Sequence, residues 1–454
     1  MKQTAYYSVR FPQEPVRPGK KPELQKGKPM RITDPHSLWG SHDPAIYRDP
    51  DSGIYYVYNT NAIARKSADL IHWEIIGKVV ADPPGESLEW TKSHAIWAPD
   101  IIKAGNTYRL YCSNSSWGVR QSAIFLATSK SPEGPFEPQG CVLKTKEENG
   151  SPVNAIDANP VEDAQTGEQY MVYGSFWGGC HILKLNKETG YAAEEGIGTC
   201  IARRPKWTDC AVEGPYIHYN RETGYYYLFV SYGSLSRDYN IRVGRSKIIT
   251  GPYVDYNGRA MTDLRDEDNT VGYLLACGYE FNDGQGYMAP GHNSVLQDAD
   301  GRWYLVCHIR QHNLTGPEPA TMHIYQMFWT EDGWPVLNPM CYAGETLQPF
   351  ARKEVPGYYE RIVLQPTVPQ GVSHSTPLVL YLGGKAEAAS LMGRWKLSGE
   401  NHLTITFGPI TEEYIMVPAW DWDKWEPTIA ITGKNNRGIC LWGKKNDPPA
   451  KFRS

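Results

Sequence analysis

No stretch of the 454-residue chain stays apolar for the roughly 18 residues that a membrane-spanning helix needs. Neither sign of charge is in excess: 46 Lys and Arg stand against 50 Asp and Glu, a net charge of −4. That balance offers no basic face for nucleic acid and no acidic solvated tail. Residues 1–30 are rich in Lys, Pro and Gln and contain no apolar h-region, so no signal peptide is expected in this chain. Close cysteine pairs are also missing. The nine cysteines are an odd, scattered set, and even the nearest two, Cys200 and Cys210, are not in CxxC spacing. Small buried thiols are expected rather than a disulfide framework or a zinc site.

What is present is a globular mixture, with 41% hydrophobic and 21% charged residues, enough apolar surface for a core. The length suits one large domain with a smaller one, or up to about three. The chain is rich in turn residues and aromatics: 43 Gly, 34 Pro, 30 Tyr and 15 Trp. Short strands between tight turns follow, and aromatics of this kind also stack on sugar rings.

A repeat organises these residues. Five segments begin with a polar residue near proline and a short apolar run, turn at glycine, and continue as an aromatic strand. They start at residues 43–47 (DPAIY), 99–103 (PDIIK), 157–161 (DANPV), 213–217 (EGPYI) and 292–296 (HNSVL). The aromatic strands that follow are 55–58 (YYVY), 108–111 (YRLY), 170–173 (YMVY), 225–229 (YYYLF) and 303–306 (WYLV). The lead residues Asp43, Asp100 and Asp157 are 57 residues apart, Glu213 follows 56 later, and His292 another 79 later. Each unit reads as a hairpin. A second echo, 129–136 (SKSPEGPF) against 246–253 (SKIITGPY), with 67–73 (SADLIHW) in the matching place, adds a third and fourth strand. Four antiparallel strands repeated five times predict an all-β fold, a five-bladed β-propeller over residues 38–345. Residues 1–37 form an N-terminal extension. The long last step predicts an inserted loop near 265–286. Residues 346–454 hold shorter alternating strands and predict a smaller C-terminal β-barrel or β-sandwich domain.

If the lead position is the inner strand, Asp43, Asp100, Asp157, Glu213 and His292 face the propeller axis. Polar groups gathered there are costly to bury without partners or chemistry. Singly, each has a plainer reading: Asp43 as a turn residue before Pro44, Asp157 as a strand-end carboxylate on backbone amides, His292 as a satisfied core histidine. Asp100 and His308, the latter within 305–309 (LVCHI), are read as structural.

The segments 41–46 (SHDPAI), 96–100 (IWAPD), 154–157 (NAID), 212–216 (VEGPY) and 291–294 (GHNS), in this order, resemble glycoside hydrolase family 43. Within it, the chain is most similar to two-domain endo-α-1,5-L-arabinanases. The resemblance implies an inverting hydrolase acting on arabinan and arabino-oligosaccharides, with Asp43 as general base, Glu213 as general acid and Asp157 tuning and orienting that acid. It also implies Ca2+ on the axis beside His292. Calcium's preference for oxygen makes one histidine a poor dedicated site by general rules. His42, Trp97, Trp117 and Trp177 are candidate substrate contacts. Trp420, Trp422 and Trp425 suggest either a sugar-binding patch or linker-side packing. A monomer located outside the cell, at its surface or in the periplasm is expected. Exo-acting arabinofuranosidase or β-xylosidase activity, and a carbohydrate-binding propeller without catalysis, remain alternatives.

Overall fold

The computed structural model describes residues 7–15, 34–149, 151–282, 284–312, 319–368 and 371–447. Much of the expected N-terminal extension, residues 1–6 and 16–33, lies outside them. Four four-stranded antiparallel sheets form blades 1 to 4, and four antiparallel strands of a six-stranded sheet form blade 5. Their first strands are Ala45–Arg48, Trp97–Ala104, Asn159–Glu162, Val212–Asn220 and Tyr287–Gln297. Each first strand contacts those of the two neighbouring blades, and the first and fifth also meet, so the five close a ring around one axis. The aromatic second strands are buried between blades: Tyr58, Tyr111, Tyr173 and Tyr226 are almost fully enclosed. Flat, β-favouring side chains suit this half-buried pleated surface.

The ring closes without a shared strand, since blade 1 is built only from residues 45–78 and blade 5's four strands only from 287–341. Backbone bonds just ahead of blade 1, from the Gly40 amide to the Ala320 carbonyl at 2.8 Å and from the Met322 amide to the Leu38 carbonyl at 3.2 Å, make the join together with side chains. Tyr55 Oη donates to Asp298 Oδ2 at 2.6 Å, and Arg48 Nε lies 3.1 Å from Asp298 Oδ1. Ser294 Oγ accepts from the Ile46 amide at 2.9 Å and donates to the Pro44 carbonyl at 2.7 Å. The same Tyr-to-Asp device recurs between blades 1 and 2 (Tyr108 to Asp49, 2.7 Å) and between blades 3 and 4 (Tyr226 to Asp163). Asp298→Ala should therefore destabilise the protein by about 3 kcal/mol, from a hydrogen bond and an ion pair to a buried carboxylate at about 1.5 kcal/mol each. An unchanged thermal midpoint for this variant would mean that the join is held elsewhere.

The C-terminal region is a closed eight-stranded barrel running from Gly357–Val363 to Cys440–Asn446, which resolves the barrel-or-sandwich alternative. Val9 and Val355 join its buried core, and Ser8 and Glu14 bond to Glu354 and Trp425. A short strand between the first two barrel strands, Ser373–His374, pairs in parallel with Tyr279–Glu280 at the edge of blade 5. The segment expected as an inserted loop is thus only partly one. It contains Tyr273–Ala276, the outer strand of blade 4, and then this edge strand. Trp420 is buried, and Trp422 Nε1 donates to the Cys341 carbonyl at 2.7 Å, so these rings serve packing between the domains. All nine cysteines are free.

Candidate active site

A left-handed residue lies just before or within the first strand of every blade. Asp43, Ala98, Asp157, Gly214 and His292 have φ of 55°, 38°, 62°, 56° and 47°. Only glycine adopts this region without cost, and a non-glycine residue held there is characteristic of functional sites. Strand register breaks at the same places in blades 2, 4 and 5. These kinks aim Asp43, Asp157 and His292 at the axis, and the kink at Gly214 sets the preceding Glu213 beside them. A cleft of about 840 Å³ opens over this floor, and all four residues line it.

Asp100 does not belong to this set. It lies two residues beyond the kinked Ala98 and lines a small cavity beneath the cleft. There its Oδ2 accepts from Asn159 Nδ2 at 2.8 Å, and Asn159 Oδ1 accepts from the Ile217 amide at 2.9 Å. This lower layer ties blade 2 to 3 and 3 to 4. Burial pushes the Asp100 carboxyl up to about 7.

The carboxyl groups of the floor differ in proton affinity because their partners differ. Asp43 accepts from Thr60 Oγ1 at 2.6 Å, and its oxygens lie 2.8 Å from His42 Nδ1 and 3.1 Å from His292 Nδ1. Burial alone would raise it, but the charges of His42 and His292 and the histidine hydrogen bonds hold it well below its usual value. Asp43 is therefore ionised. Glu213 is raised, first by burial and further by the Asp43 charge, despite hydrogen bonds from Ser175 Oγ and Tyr239 Oη, each 2.9 Å. Burial and the Glu213 charge also lift Asp157 to about 7, against the opposing charge of His292. Asp157 Oδ2 accepts from the Gly214 amide at 3.2 Å, next to Glu213 in the chain. Burial would lower His292, yet the three carboxylates bring it up to about 10. The floor thus offers a proton acceptor and a proton donor with separate sets of partners, the pairing that acid–base displacement requires.

The expected substrate contacts His42, Trp97, Trp117 and Trp177 all line the cleft. Trp117 is 80% exposed and Trp177 39%, so both present ring area to solvent. Arg120 stacks over Trp177 at 5.5 Å, and both Phe176 and Trp177 are left-handed. Trp207, 57% exposed in the turn before blade 4, joins them and carries no repeat signal in the sequence. Sequence reading also missed Thr60, Ser175, Tyr239 and His308, whose place here depends on long-range contacts.

Two observations bear on a metal. His42, Asp43 and His308 have ligand atoms within 4.8 Å of one another, but hydrogen bonds account for that closeness, and two imidazoles are a poor set for calcium. In the small axial cavity, which His292 also lines, both side-chain polar atoms of Asn293 are buried without a hydrogen-bond partner among the described residues. An orphaned amide beside one imidazole fits an ion held largely by water better than one wrapped in protein ligands.

The family model for glycosyl hydrolases family 43 matches residues 35–335, and a C-terminal lipocalin-like domain matches 339–443. An extracellular endo-α-(1→5)-L-arabinanase of Bacillus subtilis is 32% identical over 92% of this chain and 97% of its own length. An extracellular exo-α-(1→5)-L-arabinofuranosidase of Cellvibrio japonicus is 30% identical, over only 65% of this chain and 86% of its own. The crystal structure of an endo-1,5-α-L-arabinanase from Thermotoga petrophila superposes with a TM-score of 0.81 at 30% identity, covering 90% of this chain and 99% of that one. A match of this extent, over a propeller whose axis carries paired carboxyl groups, makes the chain a member of glycoside hydrolase family 43.

Proposed function

We propose that this protein cleaves α-1,5-linked L-arabinan internally, by a single displacement that inverts the anomeric carbon. The observation that carries this reading is an ionised Asp43 and a proton-retaining Glu213 on the floor of one cleft. Water attacks the anomeric carbon and gives its proton to Asp43. The glycosidic C–O bond breaks, and Glu213 gives its proton to the departing oxygen. Asp157 holds the backbone beside Glu213 through the Gly214 amide, while burial and the Asp43 charge favour the protonated acid. His42, Trp97, Trp117, Trp177 and Trp207 provide sugar contacts. The endo reading follows the relatives that span both domains, whereas the exo-acting relative covers less of the chain. On linear arabinan, a spread of oligomers early in the reaction supports the proposal. Arabinose or one fixed oligomer from the start refutes internal cleavage, and no release at all points to a binding propeller.

The pH profile should be one-sided. The base is already ionised well below the ordinary carboxylate range, so kcat/KM should hold on the acidic side until the fold fails. It should drop as pH rises and the Glu213–Asp157 pair, with Asp157 near 7, gives up its protons. A rate that climbs through this alkaline range would reverse the two roles.

Calcium is proposed at the axis, held mostly by water near Asn293 and by His292, which must give up the proton that the carboxylates favour in order to bind it. It would supply positive charge among the carboxylates, and metal analysis of the purified protein tests it. The site is complete within one chain, consistent with a monomer. A location outside the cytoplasm is supported by relatives that are named extracellular, and the free cysteines mean that the fold needs no oxidising compartment.

A further inference from the structure

Blade 5 stands between blades 1 and 4 in the ring, and so between Asp43 and Glu213. In the middle of its second strand, Trp303–Gln311, His308 is completely buried and paired on both sides, to Gly291 and Met322. Its Nδ1 accepts the Asp43 amide hydrogen at 3.2 Å, at the left-handed kink that aims Asp43. One face of its ring stacks on His42, 4.2 Å between centroids with planes 19° apart. His42 in turn holds Asp43 Oδ2. Tyr239 also stacks on the His308 ring, at 5.6 Å and 15°. Tyr239 donates to Glu213 Oε1. Gly291 leaves the space for this arrangement, since a Cβ there would stand 2.0 Å from the Tyr239 ring. His308 Nε2 has no partner among the described residues, an unusual expense for a buried polar atom unless the ring's position is itself needed.

We propose that His308 is a positioning residue that sets the spacing between base and acid: one rigid ring, fixed to blade 5, against which the residue orienting Asp43 and the residue orienting Glu213 both rest. The proposal rests on the assignment of Asp43 as base and Glu213 as acid. Misplacing a reacting group by about 1 Å can cost on the order of 10²-fold in rate, so a spacer of this kind acts on kcat rather than on binding.

Two substitutions divide its contributions. His308→Phe keeps the stack and removes the acceptor for the Asp43 amide. His308→Asn keeps an acceptor and removes the ring. Both are expected to lower kcat on linear arabinan by roughly 10- to 100-fold, with KM changed by less than about twofold. A dinitrophenyl α-L-arabinobioside, whose leaving group needs no acid, separates them. His308→Phe disturbs the base and should lose equally on both substrates. His308→Asn also frees Tyr239 and should lose about tenfold more on arabinan. Wild-type kcat in both folded variants, or losses confined to KM, would overturn the proposal. Should neither variant fold, His42→Ala and Tyr239→Leu test the same coupling without altering the core strand. Rests on a shared ring predict that their kcat losses fail to multiply, and fully multiplicative losses would overturn it. Undiminished turnover in Asp43→Asn or Glu213→Gln would instead remove the role assignment beneath it.

Discussion

Asp43→Asn should leave about a thousandth of wild-type turnover on arabinan, with the fold intact and KM little changed. The substitution preserves shape, and an amide oxygen still accepts from Thr60 and His42. What it removes is the anion that takes the proton from the attacking water. A general base contributes on the order of 10²–10⁴-fold, and the low proton affinity of Asp43 marks it as the group kept ionised for this task. The variant also places an amide hydrogen against His292, whose cationic form depends first on the Asp43 charge. A secondary drop in thermal stability is expected for that reason. Retention of a tenth or more of wild-type kcat would sink the assignment.

Glu213→Gln should be as severe on arabinan, roughly 10³-fold, but selective. Gln keeps the contacts to Ser175 and Tyr239 and has no proton to release. A sugar alkoxide cannot depart without that proton, whereas a dinitrophenolate can. The loss on a dinitrophenyl arabinobioside should therefore be smaller by about 100-fold. Equal losses on both substrates would show that Glu213 is not the acid. Asp43→Asn gives the opposite pattern, with equal losses on both, so the two variants are read against each other.

The catalytic floor was legible because repetition made it so. Asp43, Asp157, Glu213 and His292 sit at one place in a recurring unit, and a polar residue at the axis is informative wherever the unit repeats. The reading of Asp100 shows its limit. Matching Pro99–Asp100 to the other lead segments puts it at the axis, where it lines the small cavity, but the kink falls at Ala98, so Asp100 lies below the cleft, and nothing in the residue type announces a left-handed backbone there. Tyr273–Ala276 was taken for part of a loop because four apolar residues between Asp- and Gly-rich flanks carry little periodicity. His308 and Tyr239 were invisible as site residues for another reason. Their contacts to Asp43 and Glu213 span 265 and 26 residues; the first arises only when blades 5 and 1 meet, and the second only when blade 4 folds on itself. Trp207 belongs to a turn between blades, where no repeat constrains the sequence.

The non-covalent join between blades 1 and 5 has a mechanical consequence. The barrel is tethered to blade 5 through the chain and through the Ser373–His374 edge strand. The segment leading to blade 1 is anchored on that same barrel by Val9, Ser8 and Glu14. Both ends of the propeller's strip of blades are thus fastened to one body, as a belt is fastened by its buckle. Tension that would part the two blades is shared between their direct join and the N-terminal attachment to the barrel. Cutting the barrel away would leave every axial side chain present on a belt fastened by the direct join alone.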